Sequence, residues 1–207
     1  MNFYYLVIIM KRVEISILVA VIFSAIFSNV LVFDSEYNKL KSNIVRVHIL
    51  ANSNSESDQL LKYKIKDDIY CYVSGMLKNA KNKCEAKRII NDNLHNILKI
   101  SKQKIKDNNF NYDVNVALTK SYFPTRRYDG FVLPAGNYDA LKVIIGKGDG
   151  QNWWCVAFPP MCSPVDCDDK KISEILGEEQ IDMIKKPCEY KFAILEFIEE
   201  IKQKIKK

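Results

Sequence analysis

Histidine is almost missing from this 207-residue chain, which has only His48 and His95. A cysteine nucleophile needs an imidazole within hydrogen-bond reach, so a Cys/His hydrolase would have to use one of these two. His48 shares an alternating segment with Arg46, a neighbouring cation that disfavours the imidazolium. His95 sits beside Leu94 at a helix edge, and no flanking sequence has a nucleophile pattern. Paired C-x2-C knuckles are also missing. Cys155, Cys162 and Cys167 do not have the spacing that builds tetrahedral zinc sites, and no metal or other cofactor is expected. The run Gly146-Lys147-Gly148-Asp149-Gly150 lacks a Walker pattern, and a strand rather than a helix is expected after it. It therefore reads as a hairpin turn and not a phosphate loop. Adjacent acids such as Asp67 and Asp68, or Asp168 and Asp169, lie in no apolar setting that would part their pKa values. The net charge of +6 comes from lysines dispersed among acids, which argues against a nucleic-acid partner. No repeat or low-complexity segment appears, and nothing points to a small-molecule substrate.

What is present begins with an apolar run. Ile15–Phe33 carries no charge and has about the length needed to cross a hydrocarbon core. Lys11 and Arg12 precede it, while Asp34 and Glu36 follow. The positive-inside rule then puts the N-terminus in the cytoplasm and the rest outside. Residues 1–33 are accordingly expected to be an export signal or membrane anchor, 34–43 a polar connector, and 44–207 one extracytoplasmic domain. All six cysteines fall in that last part, where disulfides are chemically possible. Their connectivity stays open. A Cys155–Cys162 pair is expected in an oxidising compartment, because the diproline Pro159-Pro160 between them favours a path that returns the chain on itself.

Val45, Val47 and Ile49 alternate with Arg46 and His48, as in a half-buried strand. Ser55 and Asp58 resemble a capping box opening a helix over about Glu56–Lys78, with Leu61, Ile65, Ile69, Val73 and Met76 as its buried stripe. A second helix is expected over about 84–106. Strands are expected near 112–122, 127–133, 138–146 and 152–158, where five of the seven glycines and four of the six prolines supply turns. One short helix near 170–176 and an amphipathic C-terminal helix complete the order β-α-α-β-β-β-β-α. This predicts an α+β fold, a mainly antiparallel sheet with helices packed on one face, preceded by an N-terminal membrane or signal helix.

Both tryptophans, Trp153 and Trp154, are adjacent on the last strand and must project to opposite faces. Tryptophan is a frequent anchor of binding hot spots, so the ring outside the core is a candidate partner contact. Arg126, Arg127 and Tyr128 form a second cation–aromatic candidate.

Three segments carry a resemblance. They are Arg46-Val47-His48-Ile49-Leu50-Ala51-Asn52-Ser53-Asn54-Ser55-Glu56-Ser57-Asp58-Gln59, Leu133-Pro134-Ala135-Gly136-Asn137-Tyr138-Asp139-Ala140-Leu141, and the run from Gly150 through Trp153-Trp154-Cys155 and Pro159-Pro160 to Met161-Cys162. In this order they resemble the stage II sporulation protein R family of endospore-forming bacteria. The resemblance covers roughly Ile44–Phe158, with a weaker match around Lys191–Ile198. It implies a signalling protein exported from the forespore into the space between the forespore and mother-cell membranes. There it would activate a membrane-embedded aspartic-type protease, its protein partner, which then processes pro-sigma-E. No catalytic residue comes with the resemblance, so the expected role is that of an activator and not an enzyme. The competing readings are a secreted hydrolase using Cys155 with a histidine, and a cell-envelope module stacking glycan on a tryptophan.

Overall fold

The computed structural model describes residues 3–161 and 169–205, without the side chains of residues 3–9, 23, 25–32, 169 and 171. The chain forms two compact units, Met1–Asn38 and Lys39–Lys207.

Helix α1 runs over Phe3–Asn43, so the polar stretch 34–43 is helical. Within the first unit Met10, Val13, Ile15, Ile17, Leu18, Val19, Val21 and Ile22 are all exposed. Successive residues on a helix are about 100° apart, so these side chains surround the axis rather than forming one stripe. Among the described residues, no helix is long and apolar enough to cross a membrane. Most side chains from Phe23 to Val32, the second half of the expected span, lie outside the described residues.

The second unit is built on a four-stranded sheet in the order β2-β5-β1-β6, with β1 Val45–Leu50, β2 Val114–Phe123, β5 Gly136–Ile145 and β6 Asn152–Phe158. β1 pairs with β5 in parallel, while β1–β6 and β2–β5 are antiparallel. The sheet is therefore mixed. The expected strand 127–133 is a separate small hairpin, β3 Arg126–Tyr128 and β4 Phe131–Leu133.

Both faces of the sheet are covered. On one, Val45, Val47, Ile49, Leu141, Val143, Cys155 and Ala157 pack against α2 Glu56–Leu77, α3 Lys83–Asp92 and α4 Leu94–Asp107. On the other, Tyr138, Ala140, Val156 and Phe123 pack with Phe131 and Leu133 of the hairpin, and with Ile172, Leu176 and Ile184. Those last residues come from α5 Asp169–Ile175, α6 Glu178–Lys185 and the link between them. Helices on one face only, as expected from the sequence, is thus corrected to a layer on each side. The apolar residues of 172–184 suffice to cover a second sheet face, although each helix there is short. The C-terminal helix is α7, Glu189–Ile205.

The expected helix over 84–106 is two helices broken at Asn93, whose backbone leaves helical geometry. There the Asn93 side chain donates to the Ile89 carbonyl at 2.9 Å and accepts from the Tyr72 hydroxyl at 2.8 Å. An asparagine with local partners offers the backbone an alternative to the helical ladder.

A cation–aromatic cluster on the second sheet face

The first and third signature segments, about a hundred residues apart, are stitched together at the end of β1. Asn52 accepts from the Lys147 backbone at 3.1 Å through its side chain, and its carbonyl accepts from Asp149 at 3.2 Å. Gly150 donates to Ala51 at 2.9 Å, and Gln151 to the Asn54 side chain at 2.8 Å. Asp58 binds the same loop, accepting from Asn52 at 2.8 Å and Ser53 at 2.6 Å. Burial alone would raise its carboxyl, but these bonds outweigh burial and hold it below the usual range. Lys62, buried on α2, donates to Gln59 and to the Gln151 carbonyl at 2.7 and 3.2 Å. This network fixes where β6 begins, and so which face each tryptophan takes.

Alternation then divides the candidates. Trp153 packs on the face with α2–α4, where the Lys66 ammonium lies 5.6 Å from its ring centroid. Trp154 is half-buried on the opposite face, stacked on His48 with ring centroids 5.7 Å apart. The Arg126 guanidinium lies 3.6 Å above the Trp154 ring. Beneath them is Arg46, 0 % exposed, with its guanidinium 4.0 Å from the Phe123 ring and 5.1 Å from the Tyr138 ring. Arg46 Nη2 donates to the Tyr128 hydroxyl, and Nε donates to the Cys155 carbonyl at 3.5 Å. Tyr138, from the second signature segment, donates its own hydroxyl to the Pro134 carbonyl at 2.8 Å. Residues of all three signature segments thus meet in one cluster.

The structure brings together Trp154, Arg126 and Tyr128. It places Trp153 elsewhere, and Arg127 points away, exposed and paired with Glu189 at 2.7 Å. Sequence reasoning missed Arg46 as the centre. The available signal was its place between two apolar neighbours on the same strand face pattern as His48, which fits a sheet covered on both sides.

Charge in this cluster follows burial. Desolvation pushes the Arg46 guanidinium down and the Tyr128 and Tyr138 hydroxyls up. His48 is likewise lowered, first by burial and then by Lys142 and Arg46, against the raising effect of its 2.7 Å bond with Asn152. A histidine depressed on folding binds fewer protons than in the unfolded chain. Its stability contribution is therefore present above about pH 6.5, the unfolded value, and is lost as pH falls through the folded value. The melting temperature is expected to drop between pH 7 and 5, and His48→Gln to flatten that drop. An unchanged pH profile in the variant would remove this role.

A hydrolase built on Cys155 and His48 is not formed. In the β1–β6 register Val47 faces Cys155 and His48 faces Trp154, so the sulfur and the imidazole lie on opposite faces. Cys155 is disulfide-bonded; Cys71, Cys84 and Cys188 are free. Cys162, the expected partner, lies outside the described residues. Among the described residues, no group of three His, Cys, Asp or Glu is placed to hold a metal ion.

These features define a small α+β domain with a cation–aromatic cluster on its second sheet face. Residues 41–168 match the family described as stage II sporulation protein R, and the chain belongs to that family. A curated relative, stage II sporulation protein R of Bacillus subtilis strain 168, is 41% identical over 118 residues. That alignment covers 57% of this chain and spans about half of the relative, 53% of its length. No solved structure matches the chain.

Proposed function

We propose that this chain is an exported sporulation signal that activates a membrane-embedded aspartic-type protease by binding it, leading to processing of pro-sigma-E. The observation that carries the reading is the Arg46–Tyr138–Trp154–Arg126 cluster, which joins all three signature segments through Arg46, Tyr138 and Trp154 and reaches the surface through half-buried Trp154 and Arg126. Large aromatics and arginines are the side chains on which binding hot spots are most often built. Glycan stacking is less well supported, because Arg126 already lies over the Trp154 ring.

In this reading the apolar residues around α1 sit in a bilayer, with Lys11 and Arg12 on the cytoplasmic side. A reporter fused after Lys41 is expected to work only if it is active outside the cytoplasm. Activity of a strictly cytoplasmic reporter at that junction would contradict the topology. Function is tested by co-expressing the full chain with the protease and pro-sigma-E. Processing is expected only when all three are present; processing without the protease would indicate a hydrolase.

A further inference from the structure

The cluster holds cationic donors that its own neighbours leave unused. Among the described residues, fully buried Arg46 bonds only to neutral groups, a hydroxyl and a carbonyl, and its Nη1 has no partner. Arg126 leaves its Nε buried and unpartnered, and Trp154 does the same with Nε1. Arg46 and Arg126 also feel each other's positive charge. Other cations of the domain are partnered: buried Lys62 donates to Gln59 and to the Gln151 carbonyl, and half-buried Lys83 reaches Asp139 at 2.8 Å.

Buried donors are normally satisfied, and charged ones more stringently than neutral ones. A guanidinium presents its N–H groups in a planar fork that matches the oxygens of carboxylate and phosphate. Two guanidiniums repelling each other in a partly desolvated site both gain from one shared negative charge. We infer that the cluster is a binding site for a single oxyanion, a carboxylate or phosphate group, received at the Arg126–Trp154 stack with Arg46 beneath. The site does not depend on which protein the chain activates. The carboxylate could belong to an acidic side chain of a partner, the phosphate to a free anion.

The test uses the full chain in non-ionic detergent with Trp153→Phe, which leaves Trp154 as the sole tryptophan. Inorganic phosphate and an acetylated, amidated Gly-Glu-Gly peptide are titrated separately against potassium chloride at matched ionic strength. A saturable change in Trp154 emission is expected, with a melting-temperature rise of about 3–5 °C at roughly tenfold excess over Kd. Preference for the peptide identifies a carboxylate as the ligand, and preference for phosphate identifies a free anion. Arg126→Gln is expected to weaken binding about tenfold or more, and folded Arg46→Met to do the same; should Arg46→Met fail to fold, Arg126→Gln decides. No saturable response to either probe, or an unchanged response in folded Arg126→Gln, overturns the proposal.

Discussion

Arg46→Met is expected to melt within about 3 °C of the parent, or above it, and to lower activation of the protease proposed above as its partner by tenfold or more. The argument is a balance of magnitudes. Taking a guanidinium out of water costs several kcal/mol even after relaxation. Against that, the Phe123 ring contributes about 2 kcal/mol as a desolvated cation–π contact. The bonds to Tyr128 and Cys155 contribute about 1.5–3 kcal/mol each. These terms nearly cancel, so a methionine of similar length, with no charge to desolvate, loses little. The Tyr128 hydroxyl left behind is on a half-buried side chain and can turn to water. A charge that contributes little to stability at the centre of the signature segments is better explained by binding. A melting temperature lowered by more than about 8 °C, with activity falling only in step with the folded fraction, would make Arg46 a structural residue.

Gly150→Ala is the second large effect, and it acts on the fold. A Cβ at Gly150 would lie 2.2 Å from the Ser53 carbonyl oxygen and 2.8 Å from the Ala51 Cβ. The nearest obstacle is backbone and cannot swing aside, so one of the two stitched loops has to move. Overpacking of this kind costs about 1–3 kcal/mol and sometimes more, and losing the Gly150–Ala51 bond adds to it. The melting temperature is expected to fall by about 6–12 °C. Gly75→Ala provides the contrast. Gly75 lies within α2 with nothing within 4 Å of the added Cβ, so the change is expected to stabilise by about 0.5–1 kcal/mol. Equal melting temperatures for the two variants would contradict the stitched-loop account.

The parts of the fold legible in the sequence were those decided locally. Of the expected α2 stripe, Leu61, Ile65, Ile69 and Val73 are buried as their spacing predicts, while Met76 is half-buried and Leu77 closes the stripe instead; Ser55 does cap that helix, accepting from the Asp58 backbone at 3.3 Å. The other half of the expected capping box is not made, because the Asp58 carboxylate turns to Asn52 and Ser53. The opposite facing of Trp153 and Trp154 followed from strand alternation alone. Strand neighbours did not, since periodicity assigns faces and not partners; the parallel β1–β5 pairing brings together residues more than ninety positions apart. α6 was missed because eight residues give little periodic signal, although Ile181 and Ile184 with two glutamates in the first turn were there to read. Of the candidate residues, Trp154, Arg126 and Tyr128 are brought together by the fold. What joins them, a buried arginine from a different segment, depends on tertiary placement.

Arg126 and Arg127, adjacent on β3, provide the most direct test of the claim that this cluster is the functional surface. One lies over Trp154; the other makes an exposed ion pair with Glu189. Each is changed to alanine, and activation of pro-sigma-E processing is titrated at matched folded concentration. Loss of a hot-spot side chain costs about 2 kcal/mol or more, roughly a thirtyfold loss, whereas an exposed ion pair is worth about 0–1 kcal/mol. The account predicts a loss of about thirtyfold for Arg126→Ala, with Arg127→Ala within about fivefold of the parent. Equal losses, or a larger loss for Arg127→Ala, would contradict it.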